Sequence, residues 1–189
     1  MILYIHGFAS CGDSNKTKLL KKHFGEVLSP DIPVNPHEAI VFLKELISAH
    51  PVSLLIGSSL GGFYASYLAE KFHIKTVLIN PSTKPYQTLA PYVGMNEFFC
   101  SGERFEWKED YLHDLQAYET AKDSIDVDIL VLLQKEDEVL DYKKAASLYE
   151  NYKIIIQEGG NHRFENLDEY LEVISKFKEG LLNISQVKL

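Results

Sequence analysis

Short apolar runs rich in β-branched residues recur at positions 2–5, 53–56, 76–79, 129–133 and 153–157, and segments of helical period separate them. Strands that alternate with helices predict an α/β class, with a mostly parallel sheet flanked by helices and right-handed crossovers. The helix signals are local and specific. Asp13 or Ser14 is placed to cap a helix over 16–24, and Asn35-Pro36-His37-Glu38 supplies an N-cap residue, a proline at N1 and an acid at N3 before a helix reaching residue 49. Helical patterns also cover 60–72, 142–151 and 166–182, the last carrying an apolar stripe at Leu167, Leu171, Ile174 and Phe177. The sheet begins at the run 2–5, so no earlier edge strand is expected. No repeat or low-complexity tract interrupts the pattern, which predicts a single domain over 1–189.

One stretch departs from this rhythm. Residues 81–128, approximately, lie between two expected strands, where a plain crossover needs far fewer. Tyr86, Tyr92, Phe98, Phe99, Phe105, Trp107, Tyr111 and Tyr118 fall inside it, punctuated by Pro85, Pro91, Gly94 and Gly102. The expectation is a small aromatic cap inserted over the carboxyl edge of the sheet, although rings of this kind also serve as ordinary core.

The sharpest signal is the passage from the apolar run at 53–56 into Gly57-Ser58-Ser59-Leu60-Gly61 and then into a helical pattern. A G-x-S-x-G sequence between a strand and a helix is the setting of a nucleophile elbow, with Ser59 at the tip of the turn. Gly57 and Gly61 stand where a Cβ would collide as the two backbones pass. The amide of Leu60, at the helix N-terminus, is placed to donate to an oxyanion.

Composition narrows the setting. The 189 residues are 46% hydrophobic and 24% charged, enough for one good core. A formal charge of −8, from 19 basic and 27 acidic residues, argues against nucleic acid and against an anionic membrane surface as partners. No apolar stretch approaches the roughly 18 residues that a membrane span needs. Cys11 and Cys100 are the only cysteines, and the first residues carry neither a basic n-region nor an h-region. Cytoplasmic residence with free thiols is the resulting expectation.

A serine hydroxyl needs a base, and the base needs an orienting group. After an elbow the chain order is serine, acid, histidine. Of the seven histidines only His162 sits in a loop just beyond the last expected strand, so it is the candidate base. The acid belongs in the loop after residue 133, where Glu136, Asp137, Glu138 and Asp141 crowd together. Asp137 has the best spacing, Asp141 is the alternative, and the two glutamates are weaker candidates. The second oxyanion donor belongs in the loop after the first strand, Ile5-His6-Gly7-Phe8-Ala9, and is assigned to the Phe8 amide with Ala9 as fallback. His6 is expected to shape that loop through hydrogen bonds.

These motifs carry a resemblance. His6-Gly7-Phe8, Ser14-Asn15-Lys16, the run from Gly57 through Ala65, Asn80-Pro81, the block from Asp137 to Tyr142, and Glu158-Gly159-Gly160-Asn161-His162 together make the chain similar to the small α/β-hydrolase esterases of the YqiA/YcfP-like group (UPF0227). Lys135-Glu136 and the segment 98–107 depart from the group's pattern. The resemblance implies a compact α/β-hydrolase fold with Ser59 as nucleophile, Asp137 as acid and His162 as base, acting on simple acyl esters or acyl-CoA thioesters without metal or cofactor. The expected partner is a small acyl ester or thioester, and the aromatic insertion, with few basic residues near it, favours short to medium uncharged acyl chains. Amidase chemistry on the same three residues, or a binding module that keeps the scaffold without catalysis, are the alternatives; the oligomeric state is left open.

Overall fold

The computed structural model describes residues 1–121 and 124–182, so Lys122 and Asp123 of the expected insertion lie outside the described residues. In chain order the elements are β1 (Ile2–Ile5), α1 (Asn15–Phe24), β2 (Val27–Leu28), α2 (Pro36–Ala49), β3 (Leu54–Ser58), α3 (Leu60–Phe72), β4 (Thr76–Ile79), α4 (Pro85–Thr88), β5 (Gly94–Glu97), β6 (Arg104–Trp107), α5 (Asp110–Gln116), β7 (Ile129–Gln134), α6 (Tyr142–Leu148), β8 (Lys153–Gln157) and α7 (Leu171–Lys178). One sheet has the order β2-β1-β3-β4-β7-β8, with all neighbours parallel, and β5 and β6 form a separate antiparallel hairpin.

The strands read as continuous apolar runs because both faces of the sheet are covered. Leu3, Ile5, Leu55, Leu78 and Val131 face a core shared with α2 and α3. Ile2, Tyr4, Ile56, Val77 and Leu130 face the other, closed by Leu20 of α1 and by Ile174 and Phe177 of α7. The helix starts follow their caps: Ser14, not Asp13, accepts the Thr17 amide at 3.2 Å, and Asn35 accepts that of Glu38 at 3.1 Å. Register then brings the ends of β1, β3, β4, β7 and β8 to one edge, with Ile5 opposite Gly57, Ser58 opposite Ile79, and Gln134 opposite Gln157. The segments after these strands, which carry Phe8, Ser59, Asp137 and His162, converge there.

Four features depart from expectation. The two-residue β2, which follows β1 in the chain and which the sequence did not predict, lies outside β1 as the sheet's edge. The stretch 166–182 is shorter and broken: a 3-10 turn over Leu167–Tyr170 precedes α7, and Gly180, at φ 76°, ends it. Helix α6 stops at Leu148 because the chain must turn before β8, with the Tyr152 amide bonded to Tyr149 O at 2.9 Å. Finally, Cys11 and Cys100 are joined as a disulfide across 89 residues, with a Cα separation of 6.4 Å. The expected free thiols are thereby corrected. The bridge ties the loop after β1 to the turn between β5 and β6.

Between β4 and β7, Phe105, Trp107 and Tyr118 are buried, whereas Tyr92, Val93, Met95 and Phe99 are exposed. Phe8, from the loop after β1, packs against Tyr92, Phe105 and Trp107 at ring separations of 5.1–5.6 Å, and the Phe99 amide donates to Ala9 O at 2.8 Å. The inserted hairpin therefore rests on the loop that flanks Ser59.

Candidate active site

Ser59 occupies the bend between β3 and α3 with φ 55° and ψ −120°, a left-handed conformation that L-residues adopt only under constraint. Close approach supplies that constraint. A Cβ added at Gly61 would overlap the carbonyls of Ile5 and His6, and one at Gly57 would come within 2.7 Å of the Ala65 Cβ. Main-chain bonds fix the tip: the Ser59 amide donates to Ile79 O at 3.1 Å, and Ser59 O accepts from Ser82 at 3.0 Å.

From this position the Ser59 hydroxyl lies 3.0 Å from His162 Nε2. On the ring's far side, His162 Nδ1 is 2.8 Å and 3.0 Å from the two carboxylate oxygens of Asp137. The Asp137 side chain is 2% exposed, and its Oδ1 also accepts the amides of Val139 and Leu140 at 2.8 and 2.7 Å. With Asp137 ionised, Nδ1 carries the ring proton and Nε2 is left as an acceptor facing the hydroxyl. Asp141 is elsewhere: its carboxylate caps α6 by accepting the Lys143 amide at 3.0 Å. Glu138 accepts the His162 amide at 2.8 Å, and that bond holds its carboxyl below the usual glutamate value.

The loop after β1 forms the opposite wall. A Cβ built on Gly7 would lie 3.1 Å from Ser59 Cβ and 3.6 Å from its Oγ, so the main chain leading into Phe8 passes directly beside the hydroxyl. His6 shapes this loop from a buried position. Its Nδ1 donates to Gly7 O at 2.9 Å, and its Nε2 accepts the Ile32 amide at 3.3 Å. Burial pushes the His6 imidazole below its usual value, against the opposing effects of the Gly7 carbonyl and the Asp31 charge. Protonation would put a positive N–H against the Ile32 donor. Unfolded His6 thus binds protons that the folded ring resists, so stability rises with pH between the lowered folded value and the ordinary ~6.5, and is lost on acidification through that window. We expect Tm to fall from pH 7 to pH 5 in the wild type, and His6→Gln to flatten part of that fall in thermal melts across this range. An unchanged slope would remove His6 from the account.

A pocket opens beside the elbow, walled chiefly by Phe8, Leu60, Tyr64, Phe98, Phe105 and Trp107. The cavity is small, about 30 Å3, and none of its walls is an aspartate, glutamate, lysine or arginine. Burial holds the Tyr64 phenol neutral by pushing its pKa up. Among the described residues no three His, Cys, Asp or Glu side chains converge as metal ligands. Nor is any helix among them long and apolar enough to cross a membrane.

The structure therefore brings together Ser59, Asp137 and His162, sets Leu60 at the start of the helix behind the serine, and runs the Phe8 loop alongside. It also gives contacts at the site to two residues for which the sequence suggested no role. Gln134 and Asn80 bond the main chain of the His162 loop, Asn161 N–H to Gln134 Oε1 at 2.8 Å and Asn80 Nδ2 to Asn161 O at 3.1 Å. The available signal was a polar residue closing each of two otherwise apolar strand runs.

The sheet order, the strained serine between β3 and α3 and the converging loops define an α/β-hydrolase fold. Solved structures with that fold superpose closely: Est1E from Butyrivibrio proteoclasticus, in a structure with ferulic acid bound, has a TM-score of 0.77 at 14% identity over 95% of this chain and 88% of its own. A monoacylglycerol lipase from Paleococcus ferrophilus has a TM-score of 0.73 at 16% identity, over 96% and 94% of the two chains. At such identities the likeness establishes the fold alone. The family is established by sequence: residues 1–179 match the model of the Uncharacterised protein family (UPF0227), and the chain belongs to it. A UPF0227 protein of Vibrio parahaemolyticus is 31% identical over 94% of this chain and 99% of its own. Another, from Serratia proteamaculans, is 30% identical over 94% and 98%.

Proposed function

We propose that this chain is a serine hydrolase of uncharged carboxylic esters, with Ser59 as nucleophile, His162 as general base and Asp137 as the acid that orients it. The observation that carries the reading is the 3.0 Å contact between the Ser59 hydroxyl and His162 Nε2, backed by a buried carboxylate on Nδ1. Names such as monoacylglycerol lipase and esterase domain among proteins of similar fold support an ester carbonyl as the target.

The chemistry follows the geometry. Ser59 Oγ attacks the carbonyl carbon while its proton passes to His162 Nε2. The negative oxygen of the tetrahedral intermediate accepts hydrogen bonds from the Leu60 amide, at the positive end of α3, and from the Phe8 amide. Collapse breaks the bond to the alcohol, which leaves with the proton from His162. Water then attacks the acyl-serine, gives its proton to the same nitrogen, and the carboxylic acid departs as Ser59 recovers its hydrogen. Asp137 holds the imidazole tautomer throughout and takes no proton.

The pocket beside the elbow selects the acyl group. Its aromatic walls, supplied by Phe8 and by the hairpin of β5 and β6, offer no counter-ion to a charged chain and limited room to a long one. Short to medium uncharged acyl chains are the substrates this favours, with the 81–128 insertion acting as cap. The test is a panel of p-nitrophenyl esters, acyl thioesters and anilides, run beside a fluorophosphonate probe. Expected are preferential turnover of short esters and probe attachment to Ser59. Equal turnover of acetate and hexadecanoate esters would remove the chain-length preference; an unreactive wild type would favour a binding module on the same scaffold.

A further inference from the structure

The nucleophile and the base come from loops 103 residues apart, and their separation of 3.0 Å has to be set by something that touches both. The segment after β4 does so. Its main chain grips the elbow through Ile79 O and the Ser82 amide, which bond Ser59 N–H at 3.1 Å and Ser59 O at 3.0 Å. Between those two contacts sits Asn80, 3% exposed and held at φ 39°, a left-handed conformation that asparagine tolerates better than most residues. Its side-chain Nδ2 donates to Asn161 O at 3.1 Å, immediately before His162, with His162 O at 3.5 Å.

The other half of the Asn80 amide reaches the acid's strand. Asn80 Oδ1 accepts the Gln134 amide at 3.0 Å, and the Asn80 amide donates to Leu132 O at 2.9 Å. Gln134, 1% exposed, closes the circuit: its Oε1 accepts the Asn161 amide at 2.8 Å, and its Nε2 donates to Gln157 and Asn166 at 2.7 and 2.6 Å. Asn161 is thus held at both its N–H and its C=O by two buried amides, one rooted beside the nucleophile and one at the base of the turn that carries Asp137. Buried polar groups satisfied on all sides fix a single arrangement, because any shift leaves a donor or acceptor unpaired.

We infer that Asn80 and Gln134 are positioning residues that register the His162 loop against Ser59 and Asp137. The inference rests on the hydrolase reading above. Neither residue touches the reacting atoms; both act through the main chain at Asn161. The step they serve is proton transfer from Ser59 to His162, so their loss should slow acylation without weakening the binding of substrate.

Asn80→Asp is the discriminating variant. It is nearly isosteric, still accepts from the Gln134 amide and still tolerates the left-handed backbone, but it replaces the donor facing Asn161 O by an oxygen. Expected is a fall in kcat of about 10- to 100-fold on p-nitrophenyl acetate with KM within about twofold, and a parallel fall in the rate of fluorophosphonate labelling. Gln134→Met, which keeps length and removes the acceptor for Asn161 N–H, should do the same, and it decides the matter if Asn80→Asp does not fold. Ser66→Ala, which breaks the buried bond to the Tyr149 hydroxyl at 2.7 Å, is the control for lost stability alone and should leave kcat unchanged. Full kcat and labelling in both amide variants would overturn the inference, as would a kcat loss that Ser66→Ala reproduces at equal loss of Tm. These outcomes presuppose a wild type that turns over ester and a Ser59→Ala variant that does not; an inert wild type overturns the hydrolase reading itself, and this inference with it.

Discussion

Ser59→Ala is expected to lower kcat for a short p-nitrophenyl ester by about 10⁶-fold, roughly 8 kcal/mol of transition-state stabilisation, while Tm moves little. The size of the loss follows from the chemistry, since no covalent path survives without the hydroxyl. The small effect on stability follows from the bend. What holds residue 59 is its main chain, through Ile79 O and the Ser82 amide, and alanine keeps both bonds. The hydroxyl's own partner is His162 at the open edge of the sheet, so its removal strands no deeply buried donor. Adding His162→Ala to Ser59→Ala should lower kcat hardly further, because groups that act as one unit fail as one. Steady-state kinetics and melting curves of the two single variants and the double variant measure all three statements. A Ser59→Ala enzyme that keeps a tenth of the wild-type rate would show that the hydroxyl is not the nucleophile.

Much of this site was legible before any fold was known, for identifiable reasons. Ser59 announced itself because an elbow needs two glycines at fixed offsets between a strand and a helix, all within one decapeptide. His162 and Asp137 could be picked out because parallel topology sends every loop after a strand to the same edge, which turns chain order into spatial proximity. Other features left no such trace. The two residues of β2 are too few for any period to register. The hairpin of β5 and β6 alternates more and less exposed positions, yet its aromatic content was equally that of a packed core. The Cys11–Cys100 bridge and the bond from the Gln134 amide to Asn80 span 89 and 54 residues, and only the finished topology brings such partners together. The acid cluster is the instructive middle case. Asp137, Glu138 and Asp141 lie within five positions, but one faces the His162 ring, one accepts the His162 amide, and one caps α6.

That division of labour makes Asp137→Asn the sharpest test of the acid. Asp137 Oδ1 accepts two main-chain amides, Val139 and Leu140, so an asparagine at this position keeps its carbonyl oxygen there and turns its NH2 toward His162 Nδ1. The ring must then accept at Nδ1 and carry its proton on Nε2, where it meets the Ser59 hydroxyl as a donor and takes nothing from it. The fold persists, since the turn keeps its two amide bonds, but kcat is expected to fall by about 10⁴-fold with KM nearly unchanged. Asp141→Asn should stay within about threefold of wild type, because asparagine caps a helix as well as aspartate does. Nitrogen-15 NMR of the imidazole would read the tautomer directly, with the hydrogen moving from Nδ1 to Nε2 in Asp137→Asn. If Asp141→Asn proves the more damaging change, or if the tautomer stays put while activity is lost, the carboxylate at 137 does not orient the base.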